Sequence, residues 1–236
     1  MKPNRYKVSE VISIVSHQLK TPLSAIKGYL EVLVSDDVGK TNPKQKEYLK
    51  DALANVQRMI NLVKDLLDVS QIEEGRMELK PRPTNLEKII REAVKEFTLL
   101  AQAKNCTLSF DVKGKIPLLN IDPLKIRQVV SNLISNAIDY NERKGKVGLL
   151  LERKGNKVLF HCKDCGIGIP EKEKEKVFKK FYRSEKAMAL STGGSGLGLF
   201  ISKAIIEKSG GKIWFQSQKG KGSIFYFSLP IKTKNN

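Results

Sequence analysis

The chain is poor in several things, and each shortage excludes something. Only three cysteines occur in 236 residues (Cys106, Cys162, Cys165). That is too few for a disulfide framework and fits a reducing cytosol. No run of 18 apolar residues appears, so a transmembrane helix within the chain is not expected. The opening MKPNRYKVSEV lacks the apolar core of a signal peptide. Histidine is nearly absent, with only His17 and His161. Acidic residues are scarce after position 80: residues 81–236 carry 30 Lys and Arg against 14 Asp and Glu, while residues 1–80 carry 13 against 11. A basic half suggests a polyanionic ligand, whether nucleotide phosphates, nucleic acid or an acidic membrane.

What is present first is helix. Val8, Ile12, Val15, Leu19, Pro22, Ile26, Tyr29 and Leu33 follow an alternating 4-3 spacing, a heptad seam. His17 falls at the position furthest from that seam, and Thr21 lies one turn later on the same side. Leu23 and Leu30 widen the apolar face. After the turn DDVGKTNP (Asp36 to Pro43), a second stripe runs through Leu49, Ala52, Val56, Met59, Val63 and Leu66, flanked by Leu53, Ile60 and Leu67, and stops at Gly75. Two faces this wide cannot cover each other in one hairpin, so the expectation is a homodimer forming a four-helix bundle with His17 outside. Pro22 removes a helical hydrogen bond near Gln18 and loosens the helix beside His17.

The remainder reads as an α/β sandwich with a mixed sheet. Thr84 and Glu87 suggest a capping box for a helix running to about Ala103. Asp122–Pro123 suggests the N-cap of the helix DPLKIRQVVSNLISNAIDY. Strands are expected near 106–112, 146–152, 157–163, 212–217 and 223–229, with helices near 171–181 and 196–209. Asn132 and Asn136 share a helix face although asparagine is a poor helix former. They could hold Mg²⁺ or phosphate, or could tie down neighbouring backbone. DCGIGIP, Asp164 to Pro170, could set a carboxylate against a base's amino group, with Gly166 and Gly168 clearing room for a flat ring, or it could be a simple turn. GGSGLGLFISKAI places Gly194, Gly196 and Gly198 before a helix, where backbone N–H groups bind phosphate. Its spacing is neither that of a dinucleotide fold nor that of a P-loop. Between these, VFKKFYRSEKAMALSTGG reads as a mobile lid anchored by Phe178 and Phe181, with Arg183 available for a phosphate.

In order along the chain, VSHQLKTPL, SNLISNAIDY, DCGIGIP, VFKKFYR and GGSGLGLFISKAI resemble the H, N, G1, F and G2 boxes of sensor histidine kinases of two-component systems. The resemblance implies an α+β multidomain protein. Residues 1–75 would be a dimerisation and histidine-phosphotransfer hairpin, 76–84 a linker, 85–232 an ATP-binding domain of the Bergerat (GHKL) type, and 233–236 a tail. It implies ATP-dependent autophosphorylation of His17 and transfer to an aspartate of a response-regulator receiver domain, in a cytoplasmic setting and with no nucleic-acid partner. His17 would be the phosphoacceptor, with Gln18 beside it. Asn136, with Asn132 nearby, would hold Mg²⁺ on the ATP phosphates. Tyr140 would stack beside adenine, and Asp164, with Gly166 and Gly168, would recognise its amino group. Arg183, Gly194, Gly196 and Gly198 would serve phosphates and lid, and Thr21 would position water for dephosphorylation of the regulator.

Three positions depart from the family pattern. Gln18 stands where a carboxylate is usual, Asp139 where Lys is common, and Ser195 replaces Thr. Gln18 beside Thr21 motivates a different reading, a module that chiefly removes phosphate from its regulator. The basic half motivates another, a nucleic-acid-binding ATPase. Cys162 and Cys165 have a metal-ligand spacing, but no second pair accompanies them.

Overall fold

A computed structural model describes residues 8–141, 145–190 and 194–231; of residues 8–11, 13, 14 and 17 it describes the backbone only. The chain divides into two compact units, Met1–Met77 and Glu78–Asn236. The first is a helical hairpin, α1 (Val8–Val34) packed on α2 (Pro43–Glu73). Helix α1 is continuous across Pro22. Asp36 takes a left-handed φ of 65° in the turn, and its carboxylate accepts from the Thr41 amide, the Thr41 hydroxyl and the Lys46 ammonium. Those bonds, led by Lys46, pull its pKa down to about 2. Asn42 then caps α2 in a reciprocal capping box with Gln45.

The 4-3 stripe on α1 is largely uncovered in the single chain. Val15, Leu19, Ile26, Tyr29 and Leu33 are exposed, while Leu23, one of the residues that merely widen the stripe, is buried. On α2, Val63 is buried and Met59 exposed. The two helices therefore cover one side of each other and leave an apolar band open.

The second unit contains β1 (Arg82–Thr84), α3 (Leu86–Ala103), β2 (Thr107–Lys113), β3 (Leu119–Ile121), α4 (Pro123–Asp139), β4 (Lys146–Lys154), β5 (Lys157–Lys163), α5 (Glu185–Leu190), α6 (Gly198–Lys208), β6 (Lys212–Ser217) and β7 (Ser223–Pro230). Five strands form one mixed sheet in the order β2-β4-β5-β7-β6, with β2 and β4 parallel and the other pairs antiparallel. β1 and β3 pair separately. Along β4, β5 and β7 one parity is buried (Val147, Leu149, Leu151; Val158, Phe160, Cys162; Phe225, Phe227, Leu229), as alternation on a half-covered sheet requires. The Cys162 thiol donates to Leu133 O of α4, which fixes this as the helix-facing side.

Several local expectations are corrected. Thr84 does not cap α3: it ends β1 opposite Leu119, and its hydroxyl donates to Arg82 O and Ile121 O. Asn85 is the cap and accepts from Lys88 N. Residues 82–84, left in the linker by pattern reading, pair as β1 because Pro83 sits on a two-stranded edge that can spare its N–H. Asp122 does cap α4, accepting from Leu124 N, Lys125 N and also Lys80 N. The helix expected near 171–181 is only a 3-10 turn, Glu171–Lys176, and the lid tract contains the short α5.

Candidate nucleotide site

Helix α4 carries Asn132 and Asn136 one turn apart on one half-buried face. Asn136 Nδ2 donates to Asn132 Oδ1 at 3.4 Å, and Asn132 Nδ2 donates to Ser202 Oγ of α6 at 3.0 Å. Asn136 Oδ1 has no hydrogen-bond partner among the described residues. The start of α6 fits tightly here: a Cβ on Gly198 would lie 2.1 Å from Asn132 Oδ1. A side-chain oxygen caps α2, α3 and α4, but none caps α6. Its first N–H groups are left for a ligand, and its dipole favours an anion there.

Asp164 closes β5. It is buried, and both of its bonds fall on one oxygen: Oδ1 accepts from Gly166 N at 2.9 Å and Ser223 N at 3.1 Å. Oδ2 has no partner among the described residues. Burial pushes its pKa up to about 6, against the pull of those two N–H groups.

The glycines of DCGIGIP answer to the protein's own backbone. A Cβ on Gly166 would lie 2.0 Å from Tyr140 O, which accepts from Ile167 N. On Gly168, at φ 61°, it would lie 2.0 Å from Gln218 O. At both positions, then, it is neighbouring backbone that leaves no space for a side chain. Tyr140 is the C-terminal cap of α4, so its carbonyl ties that helix to the loop.

The lid is held differently from expectation. Phe178 does anchor, with its ring 5.8 Å from Phe215, but Phe181 is exposed and has a left-handed φ of 60°. It contributes backbone instead: Gly196, at φ 70°, has no room for a Cβ because Phe181 C would lie 2.8 Å away. Arg183 reaches across the lid, Nη1 donating to Gly194 O and Nη2 to Ala187 O. Its guanidinium here clamps lid backbone, a different task from the phosphate contact expected of it. Asp139 points away from Asn136 to an ion pair with Lys104.

His17 lies in α1, its side chain outside the described residues; Gln18 and Thr21 are exposed on the same helix. They belong to the other unit from the asparagines, Asp164 and the glycines. Sequence reading missed Ser202, the Ser223 amide, Lys104 and the Gln218–Gly222 turn. Only the turn had a signal, the KGKG pair of glycines.

The donor set suits Mg²⁺ on a nucleotide. Carboxamide oxygens are hard donors, and Asn136 Oδ1 is open to accept a cation. Among the described residues no cluster of three His, Cys, Asp or Glu could hold a metal alone. None of the helices among those residues is long and apolar enough to cross a membrane.

Residues 7–75 match the His Kinase A (phospho-acceptor) domain, and 121–233 match the family of Histidine kinase-, DNA gyrase B-, and HSP90-like ATPases. The circadian input-output histidine kinase CikA of Synechococcus elongatus is 33% identical over 226 residues, covering 95% of this chain and 30% of CikA. Full-length ShkA in complex with AMPPNP aligns with a TM-score of 0.76 at 25% identity, over 95% of this chain and 46% of that one. The nucleotide-free catalytic domain of the histidine kinase ThkA aligns at 0.56 and 34% identity, over 65% of this chain and 96% of that one. ThkA in complex with the response regulator TrrA aligns at 0.62 and 27%, over 96% and 63%. The chain spans roughly a quarter to a half of the length of the curated relatives it matches.

Proposed function

The chain belongs to the sensor histidine kinases of two-component systems, and from that membership we propose that it binds ATP in its second unit, phosphorylates His17 and passes the phosphoryl group to a response-regulator aspartate. In this reading residues 1–75 are the dimerisation and phosphotransfer hairpin and 85–232 the ATP-binding domain, working in the cytosol as a homodimer. The observation that carries it is the pairing of a buried carboxylate with one open oxygen, Asp164 Oδ2, and the uncapped start of α6 on the same unit. The first suits an adenine amino group, the second a phosphate chain.

Phosphoryl transfer needs alignment and charge neutralisation more than covalent machinery. A neutral His17 nitrogen attacks the γ-phosphorus, the bond from that phosphorus to the β–γ bridging oxygen breaks, ADP leaves, and the ring's N–H proton passes to water. Asp164 orients the base, Gly194, Gly196 and Gly198 give the phosphates a close backbone approach, and Arg183 holds the lid over them. Asn136, with Asn132 beside it, would hold Mg²⁺, which neutralises phosphate charge when bound. Gln18 can orient the imidazole but cannot take its proton. Thr21, exposed one turn on, is placed in this reading to position water when the regulator's phosphate is removed. The open apolar band of the hairpin supports the homodimer.

The test is incubation with γ-labelled ATP. Wild type should carry an acid-labile label mapping to His17, and His17→Gln should lose it while still binding nucleotide. Absence of that label on wild type sinks the kinase reading. Gln18→Glu should autophosphorylate faster, by about tenfold or more; an equal or slower rate removes the role given to Gln18.

A further inference from the structure

The sheet face turned away from the helices carries an arrangement the kinase reading does not use. Its central row pairs Leu150, His161, Tyr226 and Trp214 across four strands. Trp214 stacks on Tyr226 at 5.3 Å between ring centroids and 7° between planes, and Tyr226 meets His161 edge-on at 4.8 Å. His161 Nε2 lies 2.9 Å from Glu152 Oε1. Leu159 and Ile224 share the parity.

Around this centre lies a ring of lysines. Lys113 and Lys212 sit on the two edge strands, Lys154 and Lys157 at one end of the middle strands, and Lys146 and Lys163 at the other. All six are exposed, and all but Lys154 lack an ion-pair partner among the described residues. The acids of the same parity are Asp111 and Glu152, and Glu152 is already engaged by Lys154 and His161.

We propose that this face is a docking surface for an acidic protein, one presenting carboxylates around a small apolar patch. An apolar centre with a charged rim is how protein interfaces are built, and a rim of one sign selects a partner of the other. Two such faces repel, so a second copy of the same face is not the occupant. The rings stand side by side and stack on each other, with Tyr226 flanked on both sides, so they do not offer the open platform on which nucleobases stack. A lipid surface would have to desolvate the central His161–Glu152 pair. Five strands and six-residue rows give a face roughly 20 Å on a side, the size of a weak, transient contact.

Trp214 is the only tryptophan in the chain, so its emission reads this face directly. The full chain is titrated with a short Glu/Leu peptide, a Lys/Leu peptide, an oligothymidylate and phosphatidylserine vesicles. The expected result is a saturable Trp214 change with the acidic peptide alone, weakened about tenfold by raised salt and at least tenfold in Lys157→Glu/Lys212→Glu with ATP binding unchanged. Lys113→Glu/Lys146→Glu provides the same reading if the first variant misfolds. No saturable change, an equal response to oligonucleotide or vesicles, or undiminished binding by a folded variant overturns the proposal.

Discussion

On the hairpin, Leu19, Ile26 and Tyr29 stand 42%, 45% and 74% exposed, whereas in the second unit Ile126, Ile134, Phe160 and Phe227 have no exposed surface. Both regions are rich in apolar residues at regular spacing. The second unit satisfies its pattern internally, by folding three helices onto one side of a sheet. The hairpin has too few elements to do so, and in the single chain its apolar band stays open. The same kind of periodicity thus means core in one region and an uncovered band in the other, and what separates them is how many elements share the burial.

Placing charge on the open band is the strongest way to break this contrast. Leu19→Asp/Ile26→Asp should abolish the dimer by light scattering, at a cost on the order of 5 kcal/mol or more, and lower only the hairpin's melting transition. A dimer that survives would mean the band faces something else. Phe160→Ala inverts the experiment. It should cost the second unit about 3–5 kcal/mol through a cavity that cannot fully collapse and leave dimerisation intact; loss of the dimer as well would show that the units do not fold separately.

A smaller effect sharpens the comparison by pH. With its carboxyl held at about 6 in the folded unit against 3.8 ordinarily, Asp164 keeps its proton longer when folded than when unfolded. Stability of the nucleotide-free second unit is therefore greatest below about pH 4 as regards this group, and is lost as pH rises through 6, by up to about 2–3 kcal/mol. Asp164→Asn should remove that slope from the melting curve, keep both bonds to Oδ1 and lose nucleotide affinity because a donor replaces the open acceptor. The hairpin transition should not move.

Much of this was legible beforehand because its causes are local. The α4 start follows from Asp122–Pro123, the strands from alternation, and the wide stripes of the hairpin from heptad spacing. Thr84 misled because its hydroxyl had a competitor for the capping role one residue on, and its strand partner, Leu119, lies far away in the chain. The glycines were singled out correctly as positions that exclude a Cβ, but the excluding atoms are Tyr140 O and Gln218 O, which pattern cannot supply. Ser202 and Lys104 were invisible for the same reason: each matters through one neighbour brought close by the fold.

The place of β7 in the sheet has a consequence for how the protein is made. It lies between β5 and β6, so Ser223–Pro230 supply hydrogen bonds to both. A nascent chain that has emerged only as far as β6 holds a sheet with an open edge at β5 and an orphaned strand. The hairpin, built from neighbours in sequence, can form long before. A ribosome that stalls just short of Ser223 would release a molecule whose helices can still associate but whose sheet cannot close, and such a product could pair with intact copies while contributing no nucleotide site.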